Sequence, residues 1–379
     1  MKLGILIYSL AGGGAERVVS HLVSYCHDNN INVQLILMNT NMEFKVPDGI
    51  KIHYIERSRY NESGILKALK IPLLAYKYAK LVKKLQLTHS LSFLTRPCLI
   101  NILSRKFTTH NFKLIANERA YPSLQYSYKG LQSTFNKIMI KALYNRADLL
   151  IANSNGNAKD LVDNFGVLSE KMRVIHNPID LDKLEEIKPI SDFFDNTKFN
   201  VITIGRLDEG KNHKMLIEAI NKLKNPDIKL YIFGEGFMRN ELEDDINRLN
   251  LKDQVFLMGF DPNPYRYLKS ANLFIFGSNH EGFPNVLLEA MACQLPILST
   301  NCKSGPNEIM KLKSHEEDIM ITDYGILVPI KNATLMAKGI KYFLKSNSYR
   351  ENCITNGKIR INDFDKNHIL SKYIETIKI

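Results

Sequence analysis

Two glutamates eight positions apart, Glu281 and Glu289, flank a Gly-Phe-Pro turn in the segment 272–299, NLFIFGSNHEGFPNVLLEAMACQLPILS. The apolar run Leu273 to Phe276 has the pattern of a strand buried on both faces, and Gly277 and Ser278 break it. Val286 to Met291 then follows helical spacing, with Pro284 in the first turn or just before it. Glu281 therefore falls in a strand-to-helix loop, and Glu289 about one turn inside the helix. The start of a helix offers unpaired N–H groups and a dipole that favours an anion. Carboxylates beside it can accept hydrogen bonds from hydroxyl groups. Spacing alone leaves a plainer reading open, a solvated loop acid and a helix-surface acid.

A second cluster bears on the choice. Asn200 to Ile204 is another short apolar strand, and it runs into Gly205-Arg206-Leu207-Asp208-Glu209-Gly210-Lys211. Arg206 supplies a two-pronged donor and Lys211 a point charge, the pair that a diphosphate needs. Together the two loops suit a nucleoside diphosphate that carries a sugar.

The pattern GRLDEGKNHKMLIEAI followed by HEGFPNVLLEA resembles glycosyltransferase family 4, retaining sugar-nucleotide enzymes of GT-B fold with a paired-glutamate E-x7-E motif. The resemblance implies roles residue by residue. Arg206, Lys211 and Glu281 would do the catalytic work, the two cations on the diphosphate and Glu281 on the donor sugar hydroxyls. Glu289 would hold the ribose, and the turn and helix start at Gly282, Phe283, Asn285, Val286 and Leu287 would cradle the phosphates. Met258 and Phe260 are base neighbours or part of a plain core turn. No metal or other cofactor would be required, because fixed cations neutralise the leaving group. Ser304-Gly305-Pro306-Asn307-Glu308 resembles a bacterial branch that moves acetamido sugars such as GalNAc or GlcNAc, from UDP, to polyprenyl-diphosphate-linked glycans.

The bulk properties agree with an enzyme of two domains. The 379 residues, 45% hydrophobic, can bury two ordinary cores. No 18-residue apolar run occurs, and MKLGILIYSL leads into glycine-rich sequence without a small-residue cleavage site, so neither a spanning helix nor a secretory signal is expected. Five scattered cysteines read as reduced thiols. Charge is segregated: residues 1–180 carry 24 Lys+Arg against 12 Asp+Glu, and residues 181–379 carry 27 of each. A nucleic-acid binder is disfavoured because the basic half shows no recognised reader motif.

The elements that must position these groups alternate strand and helix. Lys2 to Leu10 is a strand, Gly12-Gly13-Gly14 a loop, and Glu16 to Cys26 a helix; read alone, the glycines make a tight turn, neither a Walker loop nor G-x-G-x-x-G. The family resemblance places Gly13 and Gly14 near the donor diphosphate and Glu16 on the acceptor side. Positions 57–86 hold eight basic residues and one acid, Glu62. Within them Lys67, Lys70, Lys77, Lys80 and Lys84 share a rough helical face opposite Leu66, Leu69, Leu73, Tyr76 and Leu81, with Pro72 as a kink. Such a helix packs by its apolar face and can lay its basic face on an anionic membrane. The expected localisation is cytoplasmic, peripheral on the inner face of the membrane.

Lys113 to Ala116 is a strand ending in Asn117-Glu118-Arg119, where many family members have a His; Glu118 and Arg119 are acceptor-side candidates or a buried structural pair. Residues 121–146 read as helix, Gly325 to Pro329 as an edge strand. The D-x-D pairs Asp180/Asp182 and Asp363/Asp365 read as solvated turns. The expected fold is α/β GT-B, two doubly wound Rossmann-like domains: 1–178, a linker 179–198, then 199–359, with a helix over about 360–379 packing back on the first domain. Rivals are a nucleotide-sugar epimerase of the same fold and a non-catalytic partner subunit.

Overall fold

Each half of the chain repeats one device, a short apolar strand buried on both faces followed by a helix that covers one of them. The computed structural model describes residues 1–57, 62–312 and 317–379. These divide into two units, Met1–Pro178 with Lys366–Ile379, and Ile179–Asp365.

In the first unit, β1 (Lys2–Ile7), β2 (Asn32–Leu37), β3 (Ile52–Tyr54), β4 (His89–Phe93), β5 (Lys113–Glu118), β6 (Leu149–Ala152) and β7 (Met172–Val174) form a parallel sheet in the order β3-β2-β1-β4-β5-β6-β7. The helices between them are α1 (Gly14–Asp28), α2 (Gly64–Leu69), α3 (Ile71–Leu85), α4 (Thr95–Ser104), α5 (Pro122–Gln125), α6 (Leu131–Leu143) and α7 (Asn155–Phe165). The C-terminal helix, Lys366–Lys378, packs Ile369, Tyr373 and Ile377 into the core beside Leu3, Val19 and Leu22.

Two expectations need correction here, and one helix, α4, escaped the reading. The stretch 121–146 is two helices, because Gly130 stands between them at φ 152°. The helix α4 has no amphipathic period to read, since eight of its ten residues are buried on all sides. In the basic stretch the helix breaks at Lys70, and α3 buries Ile71, Leu74, Ala75, Tyr78, Ala79 and Val82. That leaves Leu66, Leu69, Leu73 and Tyr76, expected to pack inward, exposed on the surface. Arg59, counted with this stretch, lies outside the described residues.

The second unit starts with α8 (Leu181–Glu185), capped by the Asp180 carboxylate, which accepts from the Lys183 N–H. Its strands are β8 (Phe199–Ile204), β9 (Ile228–Phe233), β10 (Val255–Gly259), β11 (Leu273–Phe276), β12 (Ile297–Thr300), β13 (Met320–Thr322) and β14 (Gly325–Val328), ordered β10-β9-β8-β11-β12-β14-β13. The helices are α9 (His213–Leu223), α10 (Arg239–Arg248), α11 (Tyr265–Leu268), α12 (Asn285–Ala292), α13 (Pro306–Ile309), α14 (Ala333–Lys345) and α15 (Asn347–Arg360). Residues 179–198 are not a free linker: Ile179, Leu184 and Phe194 are buried in the core of this unit. Nor is β14 an edge, because the antiparallel β13 covers it with register Ile321↔Ile326. A 3₁₀ turn, Ile361–Phe364, separates α15 from the C-terminal helix, so 360–379 is not one continuous helix.

Candidate functional site

In the second sheet β8 lies between β9 and β11, paired to the latter through Leu273↔Val201 and Phe274↔Ile202. The chain leaves β8 toward one side of the sheet and β11 toward the other, which opens a crevice at their carboxyl ends where ligands bind in folds of this kind. The loops after these two strands carry Arg206, Lys211 and Glu281. Lys211 Nζ donates to Glu281 Oε1 at 2.6 Å, and the ammonium sits 5.2 Å from the Phe276 ring centre. Two residues 70 positions apart in sequence are thus in contact at the crevice.

Neighbouring polar groups fasten one loop to the other. Asn279 donates from its backbone to the Gly210 carbonyl at 2.8 Å and from its amide to the Glu209 carbonyl at 3.0 Å. Ser278 Oγ donates to the Gly210 carbonyl at 3.1 Å. Asp208 shapes the turn: one carboxylate oxygen accepts the Lys211 N–H at 3.0 Å, and the other lies 3.4 Å from Arg206 Nε. Arg206 extends outward with its side chain 83% exposed. Below it His213, 3% exposed, donates from Nε2 to the Arg206 carbonyl at 3.2 Å, and burial pushes its imidazole down to about 4. Sequence reasoning passed over Asp208, His213, Ser278 and Asn279. An Asp three residues before a lysine at a loop turn is a readable signal for a side chain that closes the turn on itself.

The turn before α12 is fixed from the far side. Ser304 Oγ donates to the Gly282 carbonyl at 2.6 Å, and Thr300 Oγ1 to the Ser278 carbonyl at 2.6 Å. Gly305, at φ 94°, passes so close that a Cβ would stand 3.1 Å from the Phe283 Cα and collide with the Pro284 ring. Phe283 is buried against the Phe364 ring, 5.6 Å between centres, and Leu287 is buried in the same core. The Leu287 N–H already donates to the Pro284 carbonyl at 3.1 Å, which withdraws it from the expected phosphate cradle. Asn285 and Val286 form the first turn of α12. Glu289 is 6% exposed and accepts from the Tyr265 hydroxyl at 3.4 Å, so it is no surface acid. Met258 and Phe260 stand exposed at the end of β10, one strand beyond β9. The Gly234 N–H donates to the Gly259 carbonyl at 2.8 Å and the Leu207 N–H to the Glu235 carbonyl at 3.0 Å, a chain of bonds from that loop to the 205–211 loop.

In the first unit Gly13 and Gly14 open α1. Burial raises the Glu16 carboxyl above its ordinary value, opposed by its own backbone N–H and by Arg119. Glu118 and Arg119 do not form a surface for an acceptor. Glu118, 1% exposed, accepts from the hydroxyls of Tyr144 at 2.6 Å and Thr95 at 2.8 Å, and burial raises its carboxyl. Arg119 donates to the Tyr373 hydroxyl at 2.8 Å and to Asn177 Oδ1, tying the C-terminal helix to the sheet. Lys70 pairs with Glu62 and Glu56, and Lys67 lies over the Tyr8 ring, whereas Lys77, Lys80 and Lys84 are exposed. Among the described residues no group of three or more His, Cys, Asp or Glu is placed to hold a metal ion.

Comparison with known proteins bears on this geometry. A family model described as Glycosyltransferase Family 4 matches residues 12–183, and one described as Glycosyl transferases group 1 matches residues 185–360. The Campylobacter jejuni N-acetylgalactosamine-N,N'-diacetylbacillosaminyl-diphospho-undecaprenol 4-alpha-N-acetylgalactosaminyltransferase is 40% identical over 365 residues, 96% of either chain. A second C. jejuni protein, named as an alpha-1,4-N-acetyl-D-galactosaminyltransferase acting on a diNAcBac-PP-undecaprenol glycan, is 30% identical over 180 residues, 47% of either chain. Anabaena HepE in complex with UDP matches with a TM-score of 0.80 at 20% identity over 100% of both chains. Sucrose-phosphate synthase from Thermosynechococcus elongatus matches with a TM-score of 0.83 at 18% identity over 100% of this chain and 98% of that one. At those identities the structural matches speak to the fold.

Proposed function

Because the chain belongs to glycosyltransferase family 4 and has the GT-B fold, we propose that it moves an acetamido sugar such as GalNAc or GlcNAc from UDP to a polyprenyl-diphosphate-linked glycan. The observation that carries this reading is the Lys211–Glu281 contact at the crevice between β8 and β11. A cation and a carboxylate held together there have separate tasks once a donor enters. Lys211 turns to the diphosphate with Arg206, whose exposed guanidinium swings inward from its 3.4 Å contact with Asp208. Glu281 then accepts hydrogen bonds from the sugar hydroxyls, and the first turn of α12 adds its dipole to the phosphate side.

As the bond to the anomeric carbon lengthens, negative charge grows on the departing diphosphate. Donors already in place stabilise it most at that moment, which is how such a site accelerates the step. The acceptor hydroxyl attacks the same face as the bond to the diphosphate breaks and gives its proton to the departing diphosphate oxygen, so configuration is retained. Fixed cations neutralise the leaving group, and turnover needs no metal. Glu289, buried against Tyr265, holds the ribose.

The exposed Lys77, Lys80 and Lys84, beside exposed Leu73 and Tyr76, support a peripheral position on an anionic membrane. Among the described residues no helix is long and apolar enough to cross one. The test is a panel of UDP- and GDP-sugars screened by thermal shift, then assayed with EDTA present on lipid-linked acceptors. Transfer of an acetamido sugar from UDP with retention supports the reading. Release of an epimerised nucleotide sugar without any acceptor contradicts it.

A further inference from the structure

The first unit carries a cavity of about 380 Å³ between α2, the start of α3, the end of α4 and α6. Its walls are Ile65, Leu69, Leu103, Leu131, Phe135 and Met139, with Gln132 as the polar exception. Leu131 is 79% exposed and Leu69 71%, so large apolar side chains stand in water at the lip. Exposed apolar surface of this kind marks a binding place, and the volume falls in the lower part of the range for small-molecule pockets. The helices meet closely at one end, where a Cβ on Gly64 would run into the Gln132 side chain. A walled groove suits one hydrocarbon chain, whereas a bilayer surface would suit a flat apolar face.

The neighbouring turn of α2 reaches the first sheet's own crevice. Strand order reverses between β1 and β4, and Tyr8 and Arg96 stand at the carboxyl ends of those strands. Lys67 Nζ lies 5.8 Å from the Tyr8 ring centre, and Arg96 Nε donates to the Lys67 carbonyl at 3.2 Å. Arg96 also donates to the Glu56 carboxylate at 2.9 Å, and Lys70 pairs with Glu56 and Glu62, so the three cations Lys67, Lys70 and Arg96 face two carboxylates there. One end of the feature is apolar and the other keeps a net positive charge, complementary to a molecule with a hydrocarbon tail and an anionic head.

We infer that this groove holds the prenyl chain of the lipid-linked acceptor, with its diphosphate toward Lys67. The inference rests on the acceptor class proposed above. The chain contains no Trp, so Leu131→Trp gives a single tryptophan at the lip, excited selectively over the tyrosines at the red edge of the absorption band. Farnesyl diphosphate titrated into this variant should shift its emission to the blue and saturate, while inorganic diphosphate should not. Ala68→Phe, which fills the groove from α2, should weaken the apparent affinity at least tenfold; Leu69→Gln tests the same wall should the larger residue disturb folding, which circular dichroism reports. Absence of a shift overturns the inference. So does an equal shift from isoprenoid-free anionic vesicles that Ala68→Phe leaves intact, because that assigns the face to the bilayer. The titration uses no donor sugar. A saturating shift with failed sugar transfer would therefore sink the transferase reading alone, and transfer without a shift would sink the groove alone.

Discussion

Lys211 and Glu281 are joined at 2.6 Å across the point where the second sheet changes its direction of winding. Each partner satisfies the other, and in the function proposed above each would serve a different group of the bound donor. Glu281→Ala should lower kcat by at least about 100-fold, the scale on which loss of one transition-state contact acts. UDP affinity should hold, since Lys211 is released rather than removed. Calorimetry of UDP binding beside turnover decides this; a parallel loss of both would show that Glu281 serves the nucleotide.

Ser304 acts on that turn from a distance. Its hydroxyl holds the Gly282 carbonyl at 2.6 Å, next to Glu281. Ser304→Ala should cost about 1 kcal/mol of stability. It should also raise KM for the donor several-fold with a smaller change in kcat, because the turn loses an anchor while its chemical groups remain. A fall in melting temperature with unchanged KM would limit Ser304 to a structural role.

Acid should destabilise the second unit through His213. Its folded value is about 4 and its ordinary value 6.5. Between those limits the unfolded chain binds the extra proton, so stability is intact above the ordinary value and falls as pH drops through the window. The full difference amounts to ~3 kcal/mol. His213→Gln should flatten the pH dependence of urea unfolding between pH 7 and pH 4, limits that enclose the window. An unchanged slope would show that other groups carry it.

Membrane docking should depend on three lysines rather than the five grouped by helical spacing. Lys67 and Lys70 are half-buried, Lys70 in ion pairs, while Lys77, Lys80 and Lys84 are exposed, Lys80 lying 4.5 Å from the centre of the equally exposed Tyr76 ring. At roughly 1 kcal/mol per lysine, replacing those three by Gln should cut partition onto anionic vesicles by about 100-fold. Flotation that is insensitive to the triple change would remove the membrane from the account.

Most of both sheets was legible in the sequence because strands such as Leu273–Phe276 are apolar runs ended by glycine, whereas the three-residue β7 and β13, only partly buried, gave no such run. The crevice was legible because Arg206, Lys211 and Glu281 follow glycine-punctuated strands. What escaped was set by tertiary packing. Helix α4 is buried on all sides and shows no period. Burial decided that Glu118 and Arg119 are structural, and a charge pattern cannot reveal burial. Leu66, Leu69, Leu73 and Tyr76 had the spacing of an inward face, but the break at Lys70 turned α3 so that Leu74, Tyr78 and Val82 pack instead.

The most direct test of the central claim is a crystal structure with UDP bound. The account predicts β-phosphate oxygens within hydrogen-bond reach of Lys211 Nζ and the Arg206 guanidinium, beside the first turn of α12, with the ribose on Glu289. A diphosphate bound away from the crevice between β8 and β11, with the Lys211–Glu281 contact undisturbed, would contradict it.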